Sequence, residues 1–170
     1  MTEADSFQWL PALLVLQGVI GAVDTLVNRE AREALPQRRA ARAELALHAV
    51  REAVYAALFL GFAWFAWLGT FAAVIGALLI AEVAVTVGDE LAENRIRVLP
   101  QNERALHVLL TLNLGALIAL LVPVLLDWAA NPTELAPAHH GWPSWALTLL
   151  GIASAAWSIR DLLAFRRVPG

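Results

Sequence analysis

The apolar residues of this chain fall into five long runs separated by shorter polar stretches. The runs cover residues 8–27, 46–68, 71–87, 105–126 and 145–165. A helix needs about 20 apolar residues to cross the hydrocarbon core of a bilayer, and each run is close to that length. The pattern therefore predicts an all-α membrane protein with five transmembrane helices. The first run has no basic lead and no small-residue cleavage site, so we expect it to be retained.

Composition supports a single membrane domain that spans residues 1–170. Hydrophobic residues make up 59% of the chain, and the mean hydropathy is +0.63. Soluble domains have roughly 45–50% apolar residues. The chain has no cysteine, which excludes disulfides, thiolate metal sites and cysteine nucleophiles.

Charge predicts the orientation of the helices. All 12 basic residues are arginines, and they cluster at 29–51, 95–104 and 160–167. With alternating spans these clusters lie on one side, which we expect to be cytoplasmic. The N-terminus is then outside and the C-terminus inside. Six of the seven tryptophans fall at the opposite helix ends, as expected for an interfacial belt, and Trp157 does not: the six are Trp9, Trp64, Trp67, Trp128, Trp142 and Trp145.

The first four runs contain an internal similarity. Asp24 begins the segment DTLVNREAREALPQ and Asp89 begins DELAENRIRVLPQ, and each is followed by an E-x-x-L-H pattern, at 44–48 and 103–107. We interpret the two halves, about 8–68 and 71–127, as parallel helix-pair repeats. Chance similarity in a chain rich in Leu, Ala and Arg is the alternative. The fifth helix, about 143–165, lies outside the repeat, and we expect it to be peripheral.

Polar stripes on the first four helices provide the candidate chemistry. Ionisable residues inside membrane helices are costly and usually functional, and residues three or four apart share one helix face. If these helices form an antiparallel four-helix bundle, five carboxylates and two imidazoles converge in one layer. The candidate metal ligands are Asp24, Glu44, His48, Asp89, Glu93, Glu103 and His107, with Asn28 and Glu30 as auxiliary candidates.

Five converging carboxylates cannot all stay ionised without positive charge beside them. Two divalent metal ions would supply it, and carboxylates with one histidine per metal suit iron first, with zinc or manganese as other options. The ligand pattern resembles the carboxylate-bridged di-iron four-helix-bundle proteins, in which two helices each give Glu and two others give Glu-x-x-His. It departs from them in its four-residue Glu-to-His spacing and in having Asn28 where the repeat has Glu93.

The Asp…Glu…His pattern also resembles an uncharacterised bacterial family of small multipass membrane proteins, which implies the bacterial inner membrane. The di-iron resemblance implies an oxidoreductase of the hydroxylase or desaturase type. Its substrate would be a membrane lipid or another hydrophobic small molecule, and an electron-transfer partner is expected. A deeper polar layer supplies candidate catalytic residues, as a support for the metals or a proton route: Arg51, Glu52, Tyr55 and Glu82. An ion pair between Arg51 and Glu82 is the competing explanation.

Other functions remain open at the level of sequence. Arginines near the carboxylates could neutralise them as a salt-bridge network in a non-enzymatic membrane subunit or a proton or metal transporter. Bound zinc would favour hydrolysis, and His48 with His107 could provide the two axial ligands of a haem. No motif in the chain suggests nucleic-acid binding.

Overall fold

A computed structural model of the protein contains five long helices and a short two-stranded sheet. It describes residues 3–30, 42–96 and 100–167, with side chains described for 9–28, 45–91 and 100–167. Within these residues, all five helices are long and apolar enough to cross a membrane, in agreement with the five apolar runs of the sequence. The helices are α1 (Glu3–Asp24), α2 (Arg42–Trp64), α3 (Phe71–Ile96), α4 (Gln101–Ala129) and α5 (Trp142–Arg167).

Helices form here because hydrocarbon offers no hydrogen bonds to the backbone, and a helix satisfies its own peptide groups. Pro11 and Pro123 lie inside α1 and α4, which membrane helices tolerate. After Asp24 the first helix changes to a π-helical turn, Thr25–Glu30. Such turns often occur at functional sites, and this one contains Asn28, which contacts Asp24.

The connection after α2 differs from the sequence prediction. We expected the second span to continue as a helix to Leu68, but α2 ends at Trp64. The next residues, Phe65–Trp67 (β1), pair antiparallel with Leu135–Pro137 (β2). The following turn uses Gly69 at φ +61°, where a Cβ atom would lie 2.5 Å from Thr133 Cα. The helix ends at Trp64 because the next three residues pair with β2. The sequence pattern could not predict this, since β2 is about 70 residues further along the chain.

Packing of the helices follows a ring. In the described part of the chain, α1 contacts α4, α4 contacts α3, α3 contacts α2, α2 contacts α5, and α5 returns to α1. The expectation that the fifth helix is peripheral was wrong, because its contact with α2 is the most extensive of all. Gly151 allows this close approach, since a Cβ atom there would lie 2.7 Å from Leu60 Cγ.

The interior of the ring is apolar towards the sheet and polar towards the other helix ends. Tyr55 stacks on Phe59 with ring centroids 5.3 Å apart, and Phe62 stacks on Trp128 at 5.9 Å. Large apolar side chains also cover the outer faces: Ile80, Leu126 and Leu149 are each at least 70% exposed. Outward-facing apolar side chains suit contact with lipid.

Candidate metal centre and adjoining cavity

Three of the predicted ligands come together where α1 meets α4. Asp24, Glu103 and His107 each offer a ligand atom, and these atoms lie within 4.8 Å of one another. His107 Nε2 is 3.6 Å from Asp24 Oδ2. Asp24 and Glu103 are 2% and 1% exposed. Helix α4 starts at Gln101, earlier than the apolar run predicted, and this start places Glu103 in its first turn.

Neighbouring side chains orient these three ligands. His107 Nδ1 is 3.4 Å from Glu90 Oε2, which favours the imidazole tautomer with hydrogen on Nδ1 and leaves the Nε2 lone pair facing Asp24. Asn28 Nδ2 donates to Asp24 Oδ1 at 2.8 Å, and Asn102 Nδ2 donates to Asn28 Oδ1 at 2.8 Å. Asp24 Oδ2 therefore faces the imidazole. Partners that fix ligating side chains in this way are typical of metal sites.

A second polar cluster forms between α2 and α5. His48 Nε2 lies 3.6 Å from Asp161 Oδ2 and 3.9 Å from Glu52 Oε1. Asp161 is fully buried and also accepts from Arg160 Nε at 2.8 Å. His48 thus lies among carboxylates on α2 and α5. Within the described side chains, only Asp24, Glu103 and His107 form a set of three ligand atoms as close as 4.8 Å.

Asp89 has an arginine partner. Its side chain is 1% exposed, and Oδ2 accepts a hydrogen bond from Arg51 Nη2. The predicted ion pair of Arg51 with Glu82 is therefore replaced by one with Asp89. The sequence comparison of the two halves pairs Asp89 with Asp24, and these two aspartates have different surroundings in the structure.

Deeper in the ring, a chain of polar side chains links three helices. Asn113 Nδ2 on α4 donates to Gln17 Oε1 on α1 at 2.7 Å, and Gln17 Nε2 donates to the Tyr55 hydroxyl on α2 at 2.7 Å. On α3, Thr86 Oγ1 donates to Glu82 Oε1 at 3.0 Å, and Tyr55 lies beside Glu82. All five side chains are buried or half-buried.

A cavity of about 190 Å³ lies between these groups and receives side chains from all five helices. Its polar wall includes Asp24, His48, Arg51, Asp89 and His107. Its apolar wall includes three large side chains: Phe59, Leu114 and Leu150. The predicted deeper residues Glu52, Tyr55 and Glu82 also line it.

Several predicted residues fall outside this picture. The side chains of Glu30, Glu44 and Glu93 lie outside the described residues. Sequence reasoning missed three residues that contact the clusters, namely Glu90, Asn102 and Asp161. Glu90 is next to Asp89, but it is four residues after Thr86 and three before Glu93, so it lies at the edge of the α3 stripe, while Asp161 lies on a helix expected to be peripheral. A Glu at a position next to the stripe was the available signal for Glu90.

Comparisons of the chain with protein-family models, with curated proteins and with solved structures find no match.

Proposed function

We propose that this protein is a membrane-embedded metalloprotein that holds a divalent metal ion on Asp24, Glu103 and His107 and acts on a hydrophobic small molecule in the adjoining cavity. The observation that carries this proposal is the set of three ligand atoms within 4.8 Å of one another. Two buried carboxylates and one imidazole so close together require a positive charge for both acids to stay ionised.

The donor set fits a metal ion. Ligand atoms about 2.1 Å from a metal ion are about 3.0 Å apart in octahedral and about 3.4 Å apart in tetrahedral coordination, so the 3.6 Å between His107 Nε2 and Asp24 Oδ2 needs only a small adjustment to hold an ion. Oxygen ligands with one imidazole suit iron, manganese or zinc, and we propose iron. When bound, iron would supply one-electron redox chemistry, in keeping with an oxidoreductase of the hydroxylase or desaturase type that receives electrons from a partner.

The residues around the site have separate roles in this proposal. Glu90 holds the His107 ring so that Nε2 faces the metal position, and Asn28 holds Asp24. The apolar wall of the cavity binds the hydrophobic body of the substrate and excludes water. Asp24 and His107 line the same cavity, so a substrate there lies next to the metal ligands.

We propose one metal ion per chain rather than the two expected from the sequence. A second ion would need Asp89, and Arg51 already supplies a positive charge to that carboxylate. A dinuclear centre would require the guanidinium to move away. A dinuclear centre would also use Glu44 and Glu93 as ligands. The predicted repeat of the two helix pairs is the argument in its favour, because each pair would then hold one ion.

Elemental analysis of protein purified in detergent tests the proposal. We expect about one iron per chain, and His107→Ala or Asp24→Asn should reduce it several-fold, because each removes one of three ligands. His139→Ala, in the exposed loop before α5, is the matched control and should leave the metal content unchanged. Protein that is folded and metal-free after purification and after incubation with Fe(II), Mn(II) and Zn(II) would refute the proposal. Zinc in place of iron would change the proposed reaction to hydrolysis.

A second candidate function is a non-enzymatic subunit whose charged layer is structural. The Arg51–Asp89 ion pair favours it, because this buried acid is neutralised by the chain itself. If this second candidate is correct, charge-neutral substitutions at Asp24 and His107 change the stability of the protein but do not lower its metal content relative to the wild type.

A further inference from the structure

We propose that the inner part of the cavity, around Glu82, binds the charged head of a small amphipathic amine. Glu82 lies on α3, about two turns before Asp89 in the chain. Its side chain is 1% exposed and lines the cavity. This inference rests on the proposed function, since it names the class of molecule that occupies the cavity beside the metal ligands.

The first observation is an incompletely bonded carboxylate. Thr86 donates to Glu82 Oε1, and the Tyr55 hydroxyl lies beside the same carboxyl group, but Oε2 has no hydrogen bond of normal geometry among the described residues. A buried acceptor without a donor is costly in any protein interior and more so inside a membrane. A ligand that brings a hydrogen-bond donor to Oε2 removes this cost.

The second observation is the charge of the cavity wall. Among the described residues that line the cavity there are five carboxylates and one arginine, Arg51, which is paired with Asp89; the acids are Asp24, Glu52, Glu82, Asp89 and Glu90. Glu82 is not one of the proposed metal ligands, so a metal ion on Asp24, Glu103 and His107 does not bond to its carboxylate. A cationic donor is therefore favoured over a neutral donor, and an anionic ligand is excluded by repulsion.

The third observation is the size and lining of the remaining space. A cavity of about 190 Å³ is slightly larger than the roughly 150 Å³ apolar cavity that accommodates benzene. Phe59, Leu114 and Leu150 line the apolar side. A single ring or a short aliphatic chain fits against them while an ammonium group reaches Glu82.

Three probes of similar shape and different charge test this inference: phenethylamine, phenethyl alcohol and hydrocinnamate. Binding to the detergent-solubilised full chain is measured by isothermal titration calorimetry at neutral pH. We expect the amine to bind at least about ten-fold more tightly than the alcohol, and the carboxylate to bind most weakly, as a charge-assisted hydrogen bond contributes about that factor. Equal affinity for the three probes, or tightest binding of hydrocinnamate, would overturn the inference.

Variants of Glu82 connect the preference to this residue. Glu82→Gln should reduce amine affinity by about ten-fold and remove the preference over the alcohol, while Glu82→Asp, which keeps the charge, should retain part of it. Glu134→Gln, in an exposed loop, is the matched control. An unchanged preference in folded Glu82→Gln protein would contradict the inference. Metal content separates the two proposals, because Glu82→Gln removes no proposed metal ligand. A wild-type chain that holds metal but shows no preference for the amine contradicts only this inference. A chain that binds the amine but holds no metal contradicts only the proposed function.

Discussion

The ion pair of Arg51 with Asp89 provides a quantitative test of how the chain stabilises its buried acids. The Asp89 side chain is 1% exposed and the Arg51 side chain 15%. Removing one partner of a buried pair leaves an uncompensated charge and costs about 3–5 kcal/mol. Arg51→Met should therefore destabilise the protein by about this amount. Asp89→Asn should cost less, because the guanidinium remains close enough to Glu82 to interact with it electrostatically.

The double variant Arg51→Met/Asp89→Asn should recover most of the lost stability, because a neutral pair carries no desolvated charge. We expect a coupling energy of at least about 2 kcal/mol between the two sites. Unfolding in mixed detergent, followed by tryptophan fluorescence, measures all four proteins, and Arg166→Met in the exposed last turn of α5 is the control. Single variants that each cost under about 0.5 kcal/mol, with no coupling between the two sites, would show that this ion pair does not stabilise the protein.

Three further predictions concern packing and protonation. Gly151→Ala should destabilise the protein by about 1–3 kcal/mol through overpacking, since its Cβ would lie 2.7 Å from Leu60 Cγ and 3.3 Å from Leu60 N. Gly76→Ala, where the added Cβ meets open space, is the control and should be neutral or stabilising. Equal thermal stabilities of the two variants would contradict this. Asn113→Leu should cost about 0.5–2 kcal/mol in the same unfolding assay, because it removes two hydrogen bonds to α1, to Leu13 O and to Gln17 Oε1. A stabilised variant would argue against a stabilising role of these bonds. Burial lowers the pKa of His140 below its ordinary value of 6.5. The free energy of unfolding should therefore fall as the pH drops below about 6.5, because the imidazole takes up its proton first in the unfolded chain. A His140→Gln variant with the same pH dependence of stability would contradict this.

The features that the sequence predicted well are those that the bilayer imposes directly. Run length alone indicates five spans, because a helix must be long enough to cross the hydrocarbon. The contact of Asp24 with His107 also follows from sequence, since costly groups on separate spans are expected to partner each other. The ends of the elements were less predictable: α2 stops at Trp64 because of a strand pairing formed with β2, and no local pattern encodes it.

The surroundings of each acid were harder to predict than its presence in the site. Asp24 and Asp89 begin similar segments of the two halves, yet one lies with Glu103 and His107 and the other with Arg51. Arg51 had several acids within reach by sequence, and only the packing of α2 on α3 selects among them. Asp161 was missed because the stripe that leads to it consists of the uncharged residues Ser144, Thr148, Ser154 and Ser158, on a helix that was expected to be peripheral but packs closely on α2.

The proposed metal ion on Asp24, Glu103 and His107 is tested most directly by an anomalous difference map from crystals of the full chain, with data collected on both sides of the iron absorption edge. We expect one iron peak within bonding distance of His107 Nε2, Asp24 Oδ2 and a Glu103 oxygen, and no comparable peak beside Asp89. Crystals grown with Fe(II) in which these three side chains keep their positions and no anomalous peak lies between them would contradict it.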